Sequence, residues 1–220
     1  LEAEGYEVRR LEGSDRFATA AAVAAEVGAS PASEVALTLG RHDIDKRAWP
    51  DALSAGALAA TAGLPTLLTH GDRLPVVTEQ ALAGLGTERV LVIGGLAAIG
   101  QAVADRLEEL GYEVVRLHGE DRYATSAAVG AEALKRTTAT QVPVVFATGD
   151  NYPDGLAATA LAARIGGIVV LVNGKDDALH TGIDGFLRAN AARLTGGVVV
   201  GGTAVVSEAI RSQLEAAMTG

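Results

Sequence analysis

Two Asp-Arg pairs are the residues best suited to binding a charged or hydroxyl-bearing ligand. They are Asp15-Arg16 and Asp121-Arg122, and each pair falls where a helix is expected to begin. An aspartate suits that place, because its carboxylate accepts hydrogen bonds from the free amides of the first turn. An arginine does not, because its charge opposes the helix dipole. Each arginine is therefore predicted to have a partner: a nearby carboxylate, an anionic or carbohydrate ligand, or a neighbouring module.

A second set of candidates combines an aromatic ring, a proline and an aspartate. Trp49 and Asp51 flank Pro50, and Tyr152 and Asp154 flank Pro153. The rings can stack on a sugar or pack between modules, and we favour packing. The carboxylates can cap a helix, or they can bind a hydroxyl group or a cation, and capping is the simpler interpretation.

The sequence contains no pattern that indicates catalysis or a cofactor. It has no cysteine, which excludes disulfides, thiol catalysis and cysteine-based metal sites. Neither Gly-x-Ser-x-Gly nor His-Glu-x-x-His occurs, and Gly94-Gly95 after a predicted strand lacks the spacing of a dinucleotide fingerprint. We therefore expect no catalytic residue, no metal ion and no cofactor.

Composition narrows the possible partners. The net charge of −9 argues against nucleic acid, whose binders usually present a basic face. No apolar run of about 18 residues is present, so no membrane span is expected.

The candidate residues come in pairs because the chain repeats itself. Residues 5–23 return as residues 111–129, 106 positions later, and 14 of the 19 positions are identical. Residues 49–53 likewise match residues 152–156. A period this long exceeds that of solenoid repeats, which is roughly 20–50 residues, and it suffices for a small domain.

We therefore predict two domains, residues 1–108 and residues 109–220. Residues 1–5 resemble residues 107–111, the end of the first copy, so they are predicted to be the end of a preceding repeat.

Strands and helices are predicted to alternate in each copy. The predicted strands are 7–11, 35–39, 65–69 and 89–93 in the first copy, and 113–117, 144–147, 168–172 and 198–200 in the second. Apolar strands that alternate with helices indicate a mainly parallel sheet covered on both faces. The predicted fold class is α/β, with two tandem modules of this kind. In such folds ligands bind beyond the carboxyl ends of the strands, where the paired candidates fall.

The repeated segments resemble the cell wall-binding repeat type 2 family of Gram-positive surface proteins. Residues 10–20 and 116–126 look like its R-L-x-G-x-D-R-Y-x-T-A signature. Residues 49–53 resemble its F-P-D-A-L motif, residues 65–69 its P-I-L-L-T motif, and residues 93–99 its I-G-G-x-x-A-V element. The likeness covers essentially the whole chain.

The resemblance implies a Rossmann-like or Toprim-like fold for each module, with three modules in a pseudo-threefold ring. It also implies that the modules anchor a secreted protein noncovalently to an anionic polysaccharide of the cell wall. Thr66, Leu67 and Leu68 would contribute to polymer attachment, whereas the second copy has no proline before its matching segment. Because two copies are present, the neighbouring module would be a third repeat of the same chain or part of a homo-oligomer.

Two other functions remain open at this stage. The repeats can serve self-assembly of a surface layer through contacts between modules alone. A Toprim-like module can also bind a metal ion and cleave phosphodiesters, which needs clustered acids. The second alternative is weaker, because Glu12 at the end of the first predicted strand is replaced by His118 in the second copy.

Overall fold

A computed structural model describes residues 4–28, 32–41 and 49–219. The helices are α1 (Arg16–Val27), α2 (Trp49–Ala62), α3 (Val76–Gly84), α4 (Gln101–Glu109), α5 (Arg122–Arg136), α6 (Pro153–Ile165), α7 (Thr181–Asn190) and α8 (Glu208–Thr219). The strands are β1 (Glu34–Leu39), β2 (Thr66–Thr69), β3 (Arg89–Ile93), β4 (Glu113–Leu117), β5 (Val142–Thr148), β6 (Ile168–Val172) and β7 (Leu194–Val200).

The strands form two parallel sheets flanked by helices. The first has the order β2-β1-β3-β4 and the second the order β6-β5-β7. The central strands β1, β3 and β5 are mainly apolar and buried, as expected for a sheet covered on both faces. The predicted α/β class with two parallel-sheet modules is confirmed.

The first strand predicted in each copy behaves differently from expectation. Residues 7–11 do not form a strand, so that prediction is wrong. Residues 113–117 form β4, but β4 pairs with β3 in the first sheet, so its assignment to the second sheet is wrong. The two errors have one cause: the opening strand of a repeat pairs with the sheet before it. For residues 7–11 the described residues offer no such sheet.

Sheet membership therefore changes between β4 and α5, beyond the boundary predicted at residues 108 and 109. Where the chain divides into folding units stays a prediction. The expected remnant of an earlier repeat at residues 1–5 falls mainly on residues 1–3, which lie outside the described residues.

The two modules are joined by a packed junction built around α2. This helix covers the first sheet and also packs against α5, α6 and β6 of the second module. At its amino end the Leu53 side chain rests against Gly155, where any Cβ would collide with it. At the other end of the sheets Arg136 forms an ion pair with Glu34, and both side chains are mostly buried. The junction thus combines apolar packing with a shielded charge pair.

No helix within the described ranges is both long enough and apolar enough to cross a membrane.

Candidate functional site

The Asp-Arg pairs begin α1 and α5 in the same way. The carboxylate of Asp15 accepts a hydrogen bond from the Ala18 amide at 2.8 Å, and Asp121 accepts from the Ala124 amide at 2.9 Å. Each arginine reaches back to the end of a strand. The guanidinium of Arg16 donates to the carbonyl of Gly40 at 2.7 Å.

Arg122 makes the same bond in the second copy, to the carbonyl of Gly149 at 2.6 Å. These two bonds therefore do not show the first of the expected partners, a nearby carboxylate. A backbone carbonyl at a strand end is the partner that offsets the unfavourable helix dipole in both copies.

Arg122 has a second contact that crosses the junction. Its guanidinium carbon lies 5.4 Å from the ring centre of Trp49, within the range of a cation–π interaction. The ring of Trp49 in turn meets that of Tyr152 edge to face, with centroids 6.4 Å apart. The structure thus brings three predicted site residues from both copies together at the junction.

Asp51 lies in the first turn of α2, not at a cap position, because the helix already begins at Trp49. The capping interpretation is wrong for Asp154 too, since Tyr152 precedes the helix and α6 begins at Pro153. Each carboxylate instead faces the glycine that follows a strand. A Cβ on Gly94 would lie 2.8 Å from Oδ2 of Asp51, and one on Gly201 would lie 2.9 Å from Oδ2 of Asp154. These glycines also have φ near +129° and +125°, a conformation that disfavours other residues.

Asp51 is the more buried of the two acids, and burial changes its chemistry. Desolvation raises the pKa of its carboxyl group to about 6, and the charge of Arg122 opposes that rise. A carboxylate that is buried beside a cleft, with its pKa raised by desolvation, is a candidate for ligand binding.

A cleft of about 420 Å³ opens in front of Asp51, and we call it the junction cleft. Its charged side chains are those of Asp51, Glu120, Asp121 and Arg122, so it has more acidic than basic groups. Thr125 lies on its wall, and the hydroxyl of this residue accepts a hydrogen bond from the Gly119 amide at 3.0 Å. Acceptor groups in a polar recess suit hydroxyl-bearing ligands.

A second cleft of about 560 Å³, the basic cleft, lies at the carboxyl ends of β1 and β2. The charged or titratable residues that line it, within the described ranges, are Arg41, Arg73, His70 and Asp72. The guanidinium of Arg73 is 3.2 Å from Asp72. Burial is the main cause that lowers the pKa of His70, and Arg73 adds to it. The two clefts are neighbours, because both are lined by the turn residues Ala97 and Ala98.

The remaining predicted residues lie elsewhere. Thr66, Leu67 and Leu68 are in β2, the outer strand at the edge of the sheet opposite β4. Leu67 is fully buried in the core of the first module, and its two neighbours are half-buried. Asp15 and Arg16 are exposed and face no second module among the described residues.

Several residues of the clefts were missed from the sequence. Arg41 and Arg73 have no equivalents in the second copy, so a search for repeated positions passes over them. His180 lies outside the repeated motifs, and its Nε2 lies 3.0 Å from Asp121 at the edge of the junction cleft. Thr125 was detectable, because Thr19 occupies the same position of the repeated motif and accepts the same bond.

Within the described ranges, no group of three or more histidines, aspartates or glutamates is placed to hold a metal ion.

Comparison with known proteins gives matches over most of the chain. Residues 10–104 and 116–211 each match the family described as Cell wall binding domain 2 (CWB2). The chain is 28% identical over 207 residues to the N-acetylmuramoyl-L-alanine amidase LytC of Bacillus subtilis (strain 168), covering 94% of this chain and 38% of the amidase. It is also 28% identical over 162 residues to the amidase enhancer of the same organism, covering 74% of this chain and 21% of that protein.

Solved structures resemble the fold along almost its full length. Cwp6 from Clostridium difficile superposes with a TM-score of 0.78 at 24% identity, over 94% of this chain and 31% of that one. Cwp8 from the same organism gives a TM-score of 0.76 at 24% identity, over 97% and 34%. The chain therefore spans about a third of the length of these proteins.

The two family matches confirm the resemblance drawn from the repeated motifs, and with it the cell wall as the predicted location. The chain belongs to the Cell wall binding domain 2 family and consists of two of its domains in tandem.

Proposed function

We propose that the domain pair anchors a protein noncovalently by binding an anionic cell-wall polysaccharide along the carboxyl edge of the first sheet. The observation that carries the proposal is the pairing of the two clefts. One is lined by arginines and the other by acids, and they share the turn at Ala97 and Ala98.

The basic cleft is suited to the negative groups of the polymer. Among the described residues its two arginines outnumber the one acid, Asp72, and a guanidinium can hold a phosphate or carboxylate in two places. This local excess supports binding of an anionic ligand by a chain whose net charge is −9.

The junction cleft is suited to neutral sugar units. Asp51, Glu120 and Asp121 supply carboxylate acceptors for sugar hydroxyl groups. Burying Asp51 opposes folding while its carboxyl group is ionised. A ligand therefore explains a buried acid at this position better than stability does. The charged and neutral parts of one polymer would thus lie in adjacent clefts.

We infer that the pair itself is non-catalytic. It consists of binding domains of the family, and in the part of the chain that the structure describes no group of three or more histidines, aspartates or glutamates is placed to hold a metal ion. One relative is named an amidase, but this chain matches only 38% of the length of that protein. Neither cofactor nor metal enters the proposed binding.

Sedimentation with Gram-positive cell walls tests the proposal. The protein is expected to co-sediment with intact walls, and to remain in solution when their anionic polymers have been extracted. Arg41→Ala with Arg73→Ala should weaken retention by about tenfold, the equivalent of losing roughly 1.4 kcal/mol. Retention should also fall as salt rises, because partly exposed charges are screened.

Arg188→Ala is the matched control, since it removes an exposed, ion-paired arginine from α7 of the second module. It should leave retention unchanged. Equal retention by the double variant and the parent would refute the role of the basic cleft, and retention on polymer-free walls would refute the proposed ligand.

A second candidate function, assembly with a neighbouring module, is favoured by the surface of α6. Tyr152, just before this helix, and Leu156, in its first turns, are exposed, whereas Leu53, the counterpart of Leu156 on α2, is covered by the second module. The partner would be a third repeat of the same protein or another copy. Leu156→Asp should abolish such an association in sedimentation velocity, and an unchanged profile would count against it.

A further inference from the structure

The carboxyl ends of the strands are built alike in the two modules. In each, the amide of the glycine that follows the central strand donates to the carbonyl of the last residue of the outer strand, at 2.9 Å. The pairs are Gly40 with Thr69 in the first module and Gly149 with Val172 in the second. The strand pairings have the same register on both sides of these bonds. The residues that follow the strands can therefore be compared position by position.

The charges at these matched places are reversed. Arg41, directly after the glycine of the first module, corresponds to Asp150 in the second. The connection from β2 to α3 contains Asp72 and Arg73, and the longer connection from β6 to α7 contains Lys175, Asp176 and Asp177. Residues 42–48 contain two acids and two bases, so their formal charges cancel. Positive charge is thus in excess at the first edge, and negative charge at the second.

Hydrogen bonds fix the two carboxylates that face the end of the second sheet. The hydroxyl of Tyr123 donates to Oδ1 of Asp150 at 3.0 Å. The side-chain amide of Asn173 donates to Oδ2 of Asp176 at 2.8 Å. Phe17, the counterpart of Tyr123, has no hydroxyl group with which to hold a carboxylate. The second module therefore has a device for placing negative charge at this edge that the first module lacks.

A partly buried ring at each edge responds to the nearby charges. In the first module burial is the main cause that lowers the pKa of His70, and Arg73 has the largest effect of any charge. In the second module burial raises the pKa of Tyr123, and Asp150 adds to the rise through its hydrogen bond and its charge. Asp176 acts in the same direction. The strongest charge acting on the ring is thus positive at one edge and negative at the other.

The second edge is also narrower than the first. A Cβ on Gly71, after β2, would lie 2.9 Å from the carbonyl oxygen of Ala98, which lines the basic cleft. A Cβ on Gly174, after β6, would lie closer still to the carbonyl oxygen of Val205. The turn after β7 therefore approaches the end of its neighbouring strands more closely than the turn after β3 does, which leaves less room for a ligand.

We propose that Asp150 and Asp176 exclude the negative groups of the polymer from the second module, so that each domain pair binds one anionic segment, through the basic cleft alone. This inference rests on the polymer-binding function proposed above. An anion at the second edge would give up water and meet fixed carboxylates, whereas at the first edge it meets guanidinium donors. A ligand is directed to one of two similar sites by repulsion at the wrong one as well as by attraction at the right one. Asp150 and Asp176 are therefore specificity-determining residues.

NMR of the isotope-labelled domain pair, with inorganic pyrophosphate as the probe, tests the proposal residue by residue. Saturating shifts of amide signals are expected at residues 70–73. Residues 149–150 and 173–176 should shift no more than residues 184–188 of α7, which serve as an internal control. Sodium chloride at equal ionic strength controls for screening. Saturating shifts at both edges, with affinities within about tenfold of each other, would overturn the proposal.

Removing the two acids should open the second edge to the probe. Asp150→Arg with Asp176→Arg should produce new saturating shifts at residues 173–176, because guanidinium groups then replace the carboxylates. Asp150→Asn with Asp176→Asn keeps the oxygen acceptors for Tyr123 and Asn173 and should give the same gain at lower affinity. Asp105→Arg with Glu108→Arg is the matched control, since it makes an equal change of charge at exposed positions of α4. It should give no new shifts in the second module.

The outcomes separate this inference from the function on which it rests. No gain in either variant of Asp150 and Asp176 would overturn the assigned role of the two acids, while shifts at residues 70–73 would leave the basic cleft standing. Absence of shifts at residues 70–73 in the parent would instead refute the basic cleft. A gain at residues 173–176 in the variants would then still confirm that the acids exclude anions.

Discussion

Helices α2 and α6 occupy the same place in the two repeats, yet they differ in what covers them. Leu53 on α2 is 6% exposed, and its counterpart Leu156 on α6 is 58% exposed. Both helices cover a sheet with one face, and among the described residues only α2 has another module against its other face. The difference teaches that the buried part of a repeat is decided by its neighbour as much as by its own sequence.

The largest expected effect comes from truncating the leucine that fills the junction. Leu53→Ala should lower the free energy of unfolding by about 2–5 kcal/mol, because the cavity beside Gly155 cannot collapse fully. Leu156→Ala should change it by less than about 0.5 kcal/mol, as expected of an exposed position. Urea denaturation of both variants measures the contrast, and equal losses would show that the two leucines are equally buried in solution.

A second prediction sharpens the comparison through pH. The carboxyl group of Asp51 has its pKa raised from 3.8 to about 6 in the folded protein, so between these values the native state binds more protons than the unfolded chain. The contribution of Asp51 to stability should therefore fall as the pH rises from about 4 to about 6, by up to about 3 kcal/mol, and then level off.

Asp51→Asn should remove that fall, so the variant is more stable than the parent at pH 7 and similar to it at pH 4. Asp154→Asn is the matched change at the half-buried counterpart, and it should leave the slope of the parent in place. Thermal denaturation from pH 4 to pH 8 gives the profiles. A difference between the parent and Asp51→Asn profiles that stays constant across this interval would contradict the assigned burial of Asp51.

The smallest expected effect is a difference in stability between the variants of Arg16 and Arg122. Arg16→Ala and Arg122→Ala each remove a bond to a strand-end carbonyl, but only the second also removes the contact with the Trp49 ring. Arg122→Ala should therefore cost about 0.5–1 kcal/mol more than Arg16→Ala. Adding Trp49→Leu to both variants should abolish that difference, and its persistence would place the extra effect outside the ring contact.

Much of the fold was predictable because the repeated segments are recognisable in the sequence. The helix start at Asp15 and the apolar strand β3 agree with the expected positions. The sheet to which residues 113–117 belong was not predictable, because sequence similarity aligns a strand with its copy and says nothing about the strand beside it.

The junction cleft was partly predictable and the basic cleft was not. Asp51, Asp121 and Arg122 were found because they recur, and the structure brings them to one cleft. Arg41 and Arg73 occur once, and they become neighbours only when the ends of β1 and β2 meet at one edge of the sheet. Residues that depend on tertiary proximity alone have no signal in a single sequence.

Because β4 is encoded at the start of one repeat but hydrogen-bonds in the sheet of the one before, the unit of gene duplication is offset from the unit of folding by one strand. A duplication that appends a repeat would also finish its predecessor. An array grown in this way is interlocked at every step, and excising a single repeat at its sequence boundaries would leave an unfinished sheet behind.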